Sequence, residues 1–208
     1  MTLVLYNYDL DENCYKVRLA LSMLSIEHET VAVNAFPGQE QETPAFLAMN
    51  PLGTLPILKD GDMTVFGAEA ILSHLAKAYD DGTWLPMEGA DFAAVMQWLV
   101  FASGALSAAS RARANALFGT PGDEHALRAE ARRAILAMED TMTANGFVDQ
   151  EWFAGKSMTI ADIALFPAFA LSRDFGVDHD EFPALRKWAR RFRAIPGFLT
   201  MPGIPDYH

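Results

Sequence analysis

Residues 46–65 read Phe46-Leu47-Ala48-Met49-Asn50-Pro51-Leu52-Gly53-Thr54-Leu55-Pro56-Ile57-Leu58-Lys59-Asp60-Gly61-Asp62-Met63-Thr64-Val65, and they carry the clearest local signal in the chain. Two short apolar runs flank Asp60-Gly61. That arrangement predicts a β-hairpin, because glycine tolerates the positive φ that a tight turn demands. Upstream, a short helix is expected over residues 43–49, ahead of Asn50-Pro51.

Working outward, residues 2–8 are β-branched and aromatic and predict a buried strand. Residues 14–24 place Val17, Ala20, Leu21 and Leu24 at helical spacing, and residues 28–34 are strand-like. After the hairpin, residues 69–79 form a helix with Ile71, Leu75 and Ala78 on one face. The order is strand, helix, strand, then helix, hairpin and helix.

From about Ala90 onward the grammar is helical. One helix is expected over residues 91–110, running on through Arg113 to Leu117. Residues 123–145 are amphipathic, with Gly146 as the stop. Thr159 followed by Asp162 predicts a capping box, with Met158 and Ile163 placed as a staple. Pro167 should kink the helix that follows. Leu185, Trp188, Ala189 and Phe192 make a last apolar stripe, ending at Pro196-Gly197.

Composition narrows the function classes. The 208 residues carry 16 Lys+Arg against 27 Asp+Glu, a formal charge of −11, which argues against nucleic acid or an anionic membrane as partner. The single cysteine, Cys14, allows no intrachain disulfide and suits a reducing, cytoplasmic setting. The N-terminus lacks the basic and apolar regions of a signal peptide. Residues 92–110 carry no charge, yet their alanines, serines and Gln97 fit a buried bundle helix better than a membrane span. No histidine spacing suggests a metal site, and His179 between Asp178 and Asp180 is a weak candidate at best. The basic run from Arg186 to Arg193 reads as the solvated face of the last helix.

Four segments together resemble the cytosolic glutathione transferases: Asn13-Cys14-Tyr15-Lys16-Val17-Arg18-Leu19-Ala20-Leu21, Phe46 through Leu58, Ala70-Ile71-Leu72-Ser73-His74-Leu75, and Thr159 through Pro167. The resemblance implies an α/β thioredoxin-like N-terminal domain (residues 1–79), a linker (80–90) and an all-α domain (91–208) supplying a second-substrate pocket. It implies a homodimer that adds the thiol of glutathione, its co-substrate, to a small hydrophobic electrophile, as in detoxification. By the same resemblance the bond before Pro56 is cis, and the Leu55 backbone pairs with glutathione as an added strand would. Thr54, Leu55 and Pro56 would hold the peptide, Gly67, Ala68 and Glu69 the γ-glutamyl end, and the helix start at Asn13 and Cys14 the sulfur.

Three features depart from that pattern. Asp11 stands where serine-type relatives place a hydroxyl donor, which leaves the Asn13 amide, with Tyr8 at the end of the first strand, as candidate thiol activators. Tyr6 reads as packing. Gly67-Ala68 replaces an acid–serine pair, and losing one charge-assisted hydrogen bond costs about 1.5–3 kcal/mol. Asp9, Asp11 and Glu12 crowd acids at the mouth where an anion must enter, although acids ahead of a helix also complement its dipole. Cys14, at a helix start, is either a nucleophile with lowered pKa or a packing residue. Arg111, Arg113 and Asn115 either reach the interdomain cleft or face solvent; Arg111 and Asn115 are the second-substrate candidates. A non-catalytic ligand carrier or interaction module, and a Cys14-dependent oxidoreductase, are the alternative functions.

Overall fold

The computed structural model describes residues 3–205; Met1, Thr2, Asp206, Tyr207 and His208, which belong to the expected terminal segments, lie outside the described residues. Strand β1 (Leu3–Asn7) alternates buried and half-buried side chains, so one face meets the core. Helix α1 (Glu12–Met23) follows, then β2 (His28–Ala32) and a short helix α2 (Pro44–Leu47). Strands β3 (Ile57–Asp60) and β4 (Met63–Phe66) and helix α3 (Ala68–Tyr79) complete the α/β part. The sheet order is β2-β1-β3-β4. β1 pairs parallel with β2 and antiparallel with β3, with Leu5 opposite Leu58.

The hairpin stands, with its turn one residue later than expected. Asp60 stays in the ladder opposite Met63, so the two loop residues are Gly61-Asp62. The register explains this: Leu58 must face Val65 and Lys59 Thr64 for the apolar side chains to share one face.

The helical part comprises α4 (Gly89–Ser103), α5 (Ser107–Phe118), α6 (Glu124–Gly146), α7 (Ile160–Ala170) and α8 (Pro183–Arg193). The single long helix expected over residues 91–117 is instead two, broken at Gly104. There the backbone leaves helical geometry (φ −93°, ψ −104°), and a Cβ would stand 2.8 Å from the Val100 carbonyl oxygen, a contact only glycine avoids. The run Gly89–Phe118 is long and apolar enough to cross a membrane by length and composition. Its two helices, of 15 and 12 residues, are each shorter than the roughly 20 residues a span requires.

Helix α7 is the centre of the molecule. All its residues except Ala168 are buried, and it packs against α1, α3, α4 and α8. It continues through Pro167 to Ala170. The capping box forms as expected: the Ala161 N–H donates to Thr159 Oγ1 (3.3 Å) and the Thr159 N–H to Asp162 Oδ2 (3.0 Å). Asp162 goes further, since Oδ1 also accepts from the Phe153 N–H (3.2 Å) and from Trp188 Nε1 (3.0 Å) of α8. One buried carboxylate therefore fastens three segments. The two halves are also stitched directly, by Tyr15 Oη donating to the Leu199 carbonyl (2.6 Å) and Ser22 Oγ to that of Gly197 (2.7 Å).

Candidate active site

The candidate site gathers where β1 hands over to α1. Asp11 is the N-cap of α1, and its carboxylate accepts from the Cys14 N–H at 2.7 Å. Burial, then the neighbouring charge of Glu12, pushes its carboxyl up to about 6. The residue that replaces the expected hydroxyl donor thus serves the helix backbone. Its cap satisfies one of the four orphan N–H groups of the first turn.

Cys14 corrects the nucleophile reading. It is fully buried in a small cluster with Val33, Phe46, Leu55 and Ile57, and its Sγ accepts from the Tyr8 N–H at 3.4 Å. Burial first, then the Asp11 charge, holds its thiol well above 9, the opposite of the lowering that thiol chemistry needs. Asn13, beside it, is half-buried, and its side-chain amide makes no hydrogen bond to the described residues.

The acids at the mouth are largely compensated by partners that sequence reading did not assign. Arg18 donates to Asn7 Oδ1 (2.5 Å) and to the Asp9 carbonyl (2.9 Å), and lies 3.7 Å from the Asp9 carboxylate. Arg113 of α5, buried to 3% exposure, donates to the Leu10 carbonyl (2.6 Å), Glu12 Oε2 (3.0 Å) and Asp174 Oδ2 (2.8 Å). Of the two readings, it follows the interdomain one: it does not face solvent but lies buried between the two halves and clamps them together.

The Leu55–Pro56 bond is cis, and so is Phe36–Pro37. Leu55 turns its side chain into the Cys14 cluster. Among the described residues no hydrogen bond engages its N–H or C=O. The loop before it is set by Asn50, fully buried, whose Nδ2 donates to the Thr54 carbonyl (2.8 Å) and hydroxyl (2.9 Å) while its Oδ1 accepts from the Leu52 N–H (3.0 Å). Thr54 is therefore engaged internally. Asn50 could have been singled out as a buried polar group in a Pro-Leu-Gly turn.

Gly67 caps α3 with φ +85° and ψ +126°, a region that glycine occupies freely and side-chain-bearing residues do not. Ala68 is buried, so this helix start offers backbone N–H groups and no side-chain donor. The Glu69 side chain is engaged within the protein. Its carboxylate accepts from Lys16 Nζ of α1 at 2.9 Å, with the Lys16 side chain 7% exposed.

Arg111 and Asn115 are not brought to this cluster. Arg111 pairs with Glu130 of α6 at 2.7 Å in solvent, and Asn115 Nδ2 ties the α5–α6 turn through the Thr120 carbonyl (2.5 Å). What does reach the site from the helical part is Phe118, at the end of α5. Its ring lies 6.3 Å from that of Tyr8 and 4.9 Å from that of Phe36. Neither Phe36 nor Phe118 had a sequence signal, since their neighbourhood exists only in three dimensions. Tyr6 packs edge-on against Phe46 at 5.6 Å.

The remaining titratable groups belong to the scaffold. His179 is buried, stacked on Phe169 at 4.4 Å, with Nε2 3.0 Å from Ser172 Oγ, and burial drops it to about 4. Among the described residues no group of three or more His, Cys, Asp and Glu side chains is placed to hold a metal. On α8, Arg186 and Arg191 pair with Asp180 and Glu151, as a solvated face does.

A four-stranded β2-β1-β3-β4 sheet with a cis-proline leading into β3, followed by an all-helical part, defines a thioredoxin-like domain joined to an all-α domain. Residues 1–77 match the family "Glutathione S-transferase, N-terminal domain", and residues 108–196 match "Glutathione S-transferase, C-terminal domain". A glutathione S-transferase 1 of Manduca sexta is 31% identical over 92% of this chain and 88% of its own length. A probable maleylacetoacetate isomerase of Vibrio cholerae is 25% identical over 95% and 94%. A crystal structure of a glutathione S-transferase from Pseudomonas fluorescens superposes with a TM-score of 0.87 at 28% identity, covering 97% of this chain and all of that one. The chain belongs to the glutathione S-transferase family.

Proposed function

We propose that the chain binds glutathione along Leu55 and transfers its thiol to a small hydrophobic electrophile. The observation that carries this reading is the Leu55 N–H and C=O, unengaged within the described residues beside the cis bond to Pro56. Such a backbone edge recognises an extended peptide by strand addition. The start of α3 at Gly67, Ala68 and Glu69 would take the γ-glutamyl carboxylate on backbone N–H groups. The start of α1 would face the sulfur, with the Asn13 amide donating to it. Holding a thiolate beside an electrophile supplies the rate through ionisation and proximity.

Because no side chain at Gly67-Ala68 donates and Glu69 is held by Lys16, the γ-glutamyl end lacks the additional side-chain hydrogen bond that an acid–serine pair would supply. That loss lowers affinity by about tenfold to a hundredfold. The same feature favours a second reading, a carrier that binds without turnover. The buried, high-pKa Cys14 speaks against the oxidoreductase reading. The proposal includes a homodimer in the cytoplasm, which the family resemblance and the lone thiol support.

Calorimetric titration with reduced glutathione, with oxidised glutathione alongside, tests the site. Saturable binding in the micromolar to low-millimolar range is expected. No saturation by about 10 mM, weaker than about −3 kcal/mol, refutes it. Binding without conjugation of any electrophile selects the carrier.

A further inference from the structure

A cavity of about 480 Å³ opens between the C-terminal half of α6, the turn that follows it and α8. None of the residues that line it belongs to the clusters at Leu55, at Gly67 or at the start of α1.

The walls are held by bonds between separate segments. Glu139 of α6 gives both carboxylate oxygens to the first N–H groups of α8, those of Ala184 (2.9 Å) and Leu185 (2.8 Å), and so pins the two helices together. The turn is fixed by the Gln150 N–H donating to the Asn145 carbonyl (3.0 Å) and by Asn145 Nδ2 donating to the Trp152 carbonyl (3.1 Å). Arg191 of α8 ties down its end, donating to the Glu151 carbonyl (2.6 Å) and lying 3.2 Å from the Glu151 carboxylate. The cavity is therefore formed before any ligand arrives, as small-molecule sites usually are.

Once Glu139, Glu151 and Arg191 are matched, two charges of the lining are left over. Asp149, on the turn, and Lys187, on α8, form no hydrogen bond or ion pair with the described residues. They share the cavity without pairing with each other, so one negative and one positive charge stand apart on two of its walls. Asp149 is held at φ +55°, in the left-handed region, which fixes where the turn presents its side chain. The rest of the wall includes Met142, Pro183 and Phe147, and the Phe147 ring is left 86% exposed.

A ligand that matches this lining carries an ammonium, a carboxylate and an apolar side chain. A free α-amino acid bears both charges on one carbon and does not reach two separated partners. A dipeptide sets its termini about 7 Å apart, at about 3.5 Å per extended residue. An anionic amphiphile would leave Asp149 unmatched.

We infer that this cavity is a second binding site, for a short linear peptide with free termini and a bulky apolar side chain. Its ammonium meets Asp149, its carboxylate meets Lys187, and its side chain covers Phe147 and Met142. Each terminal contact is a charge-assisted hydrogen bond. The site is independent of the transferase reading above.

The test titrates the full chain with the dipeptide Leu-Phe by calorimetry. Saturable one-to-one binding with a Kd below about 1 mM is expected. Acetyl-Leu-Phe lacks the ammonium, Leu-Phe amide lacks the carboxylate and phenylalanine lacks the span; each should bind about tenfold more weakly. Asp149→Asn keeps a residue that tolerates the left-handed backbone. It should lower Leu-Phe affinity about tenfold and make acetylation nearly neutral, and Lys187→Gln should do the same for amidation. No saturation by about 10 mM, or affinity indifferent to both termini, overturns the inference. So does Leu-Phe binding that glutathione displaces and Asp149→Asn leaves unchanged, since the peptide then lies along Leu55. Glutathione binding can fail while the Leu-Phe results hold, and the reverse, so the two proposals fall separately.

Discussion

Asp162→Asn is the most informative single change outside the site. Asp162 is fully buried and offers two oxygens to donors on both sides: Phe153 N–H and Trp188 Nε1 on Oδ1, Thr159 N–H and hydroxyl on Oδ2. An asparagine is nearly isosteric but has one oxygen. Its best arrangement keeps that oxygen on Phe153 and Trp188 and turns the NH₂ toward Thr159. The Thr159 hydroxyl can rotate to accept, whereas its N–H is left facing another donor. One buried unsatisfied N–H costs about 1–3 kcal/mol, so about 2 kcal/mol is expected at pH 7.

The cost should also depend on pH. Burial outweighs the donors and raises the Asp162 carboxyl from 3.8 to about 6. A folded-state value above the unfolded one means that the native protein holds the extra proton between those limits. The linked stability is fully present below about pH 4 and is lost as the pH rises through 6. Between pH 7 and pH 4.5 the wild type gains about 2 kcal/mol from this group, a gain that asparagine cannot make. Urea unfolding of both proteins at the two pH values cancels the other carboxyls in the difference. The penalty should grow from about 2 to about 4 kcal/mol on acidification. A penalty equal at both pH values refutes the titration argument, and one below about 0.5 kcal/mol at pH 7 refutes the shared-acceptor argument.

Arg113→Met should lower stability by about 3 kcal/mol, because it strands the poorly exposed Glu12 and Asp174 carboxylates and the Leu10 carbonyl. Adding Glu12→Gln should recover part of that loss in the same urea titration, and no recovery would argue against the clamp. Native Cys14 should react with a thiol reagent at neutral pH only as fast as the protein opens, and rapidly in urea, given its burial and raised pKa; fast labelling of the native chain would contradict this. Asn13→Ala should reduce kcat/KM by about tenfold or more, the loss of one hydrogen bond to a thiolate. The urea midpoint should stay put, because the Asn13 amide engages none of the described residues.

Much of the fold was legible in residue order because its signals are local. The Asp-Gly hairpin, the Thr159–Asp162 capping box and the 3.6-residue stripe of α8 each depend on neighbours within a few positions, where backbone geometry fixes which side chains meet. Two local readings slipped for identifiable reasons. The turn moved because strand register, a cross-strand property, set it. The long helix broke at Gly104, where the backbone approaches the Val100 carbonyl too closely for any side chain.

The site divided differently. Sequence by itself determined the Leu55-Pro56 bend ahead of β3, whose cis bond only the family resemblance implied, the two helix starts near Asn13 and Gly67, and the replacement of side-chain donors at Asp11 and Gly67-Ala68. Only the tertiary structure decided what those residues face. Asp11 caps its own helix, Glu69 is held by Lys16, Cys14 is sealed in a core, and Arg113 reaches Leu10 and Glu12 across about a hundred positions of chain. Charge compensation, burial and ring contacts depend on groups a few ångströms apart in space, and Tyr8, Phe36 and Phe118 become neighbours only when the two domains pack.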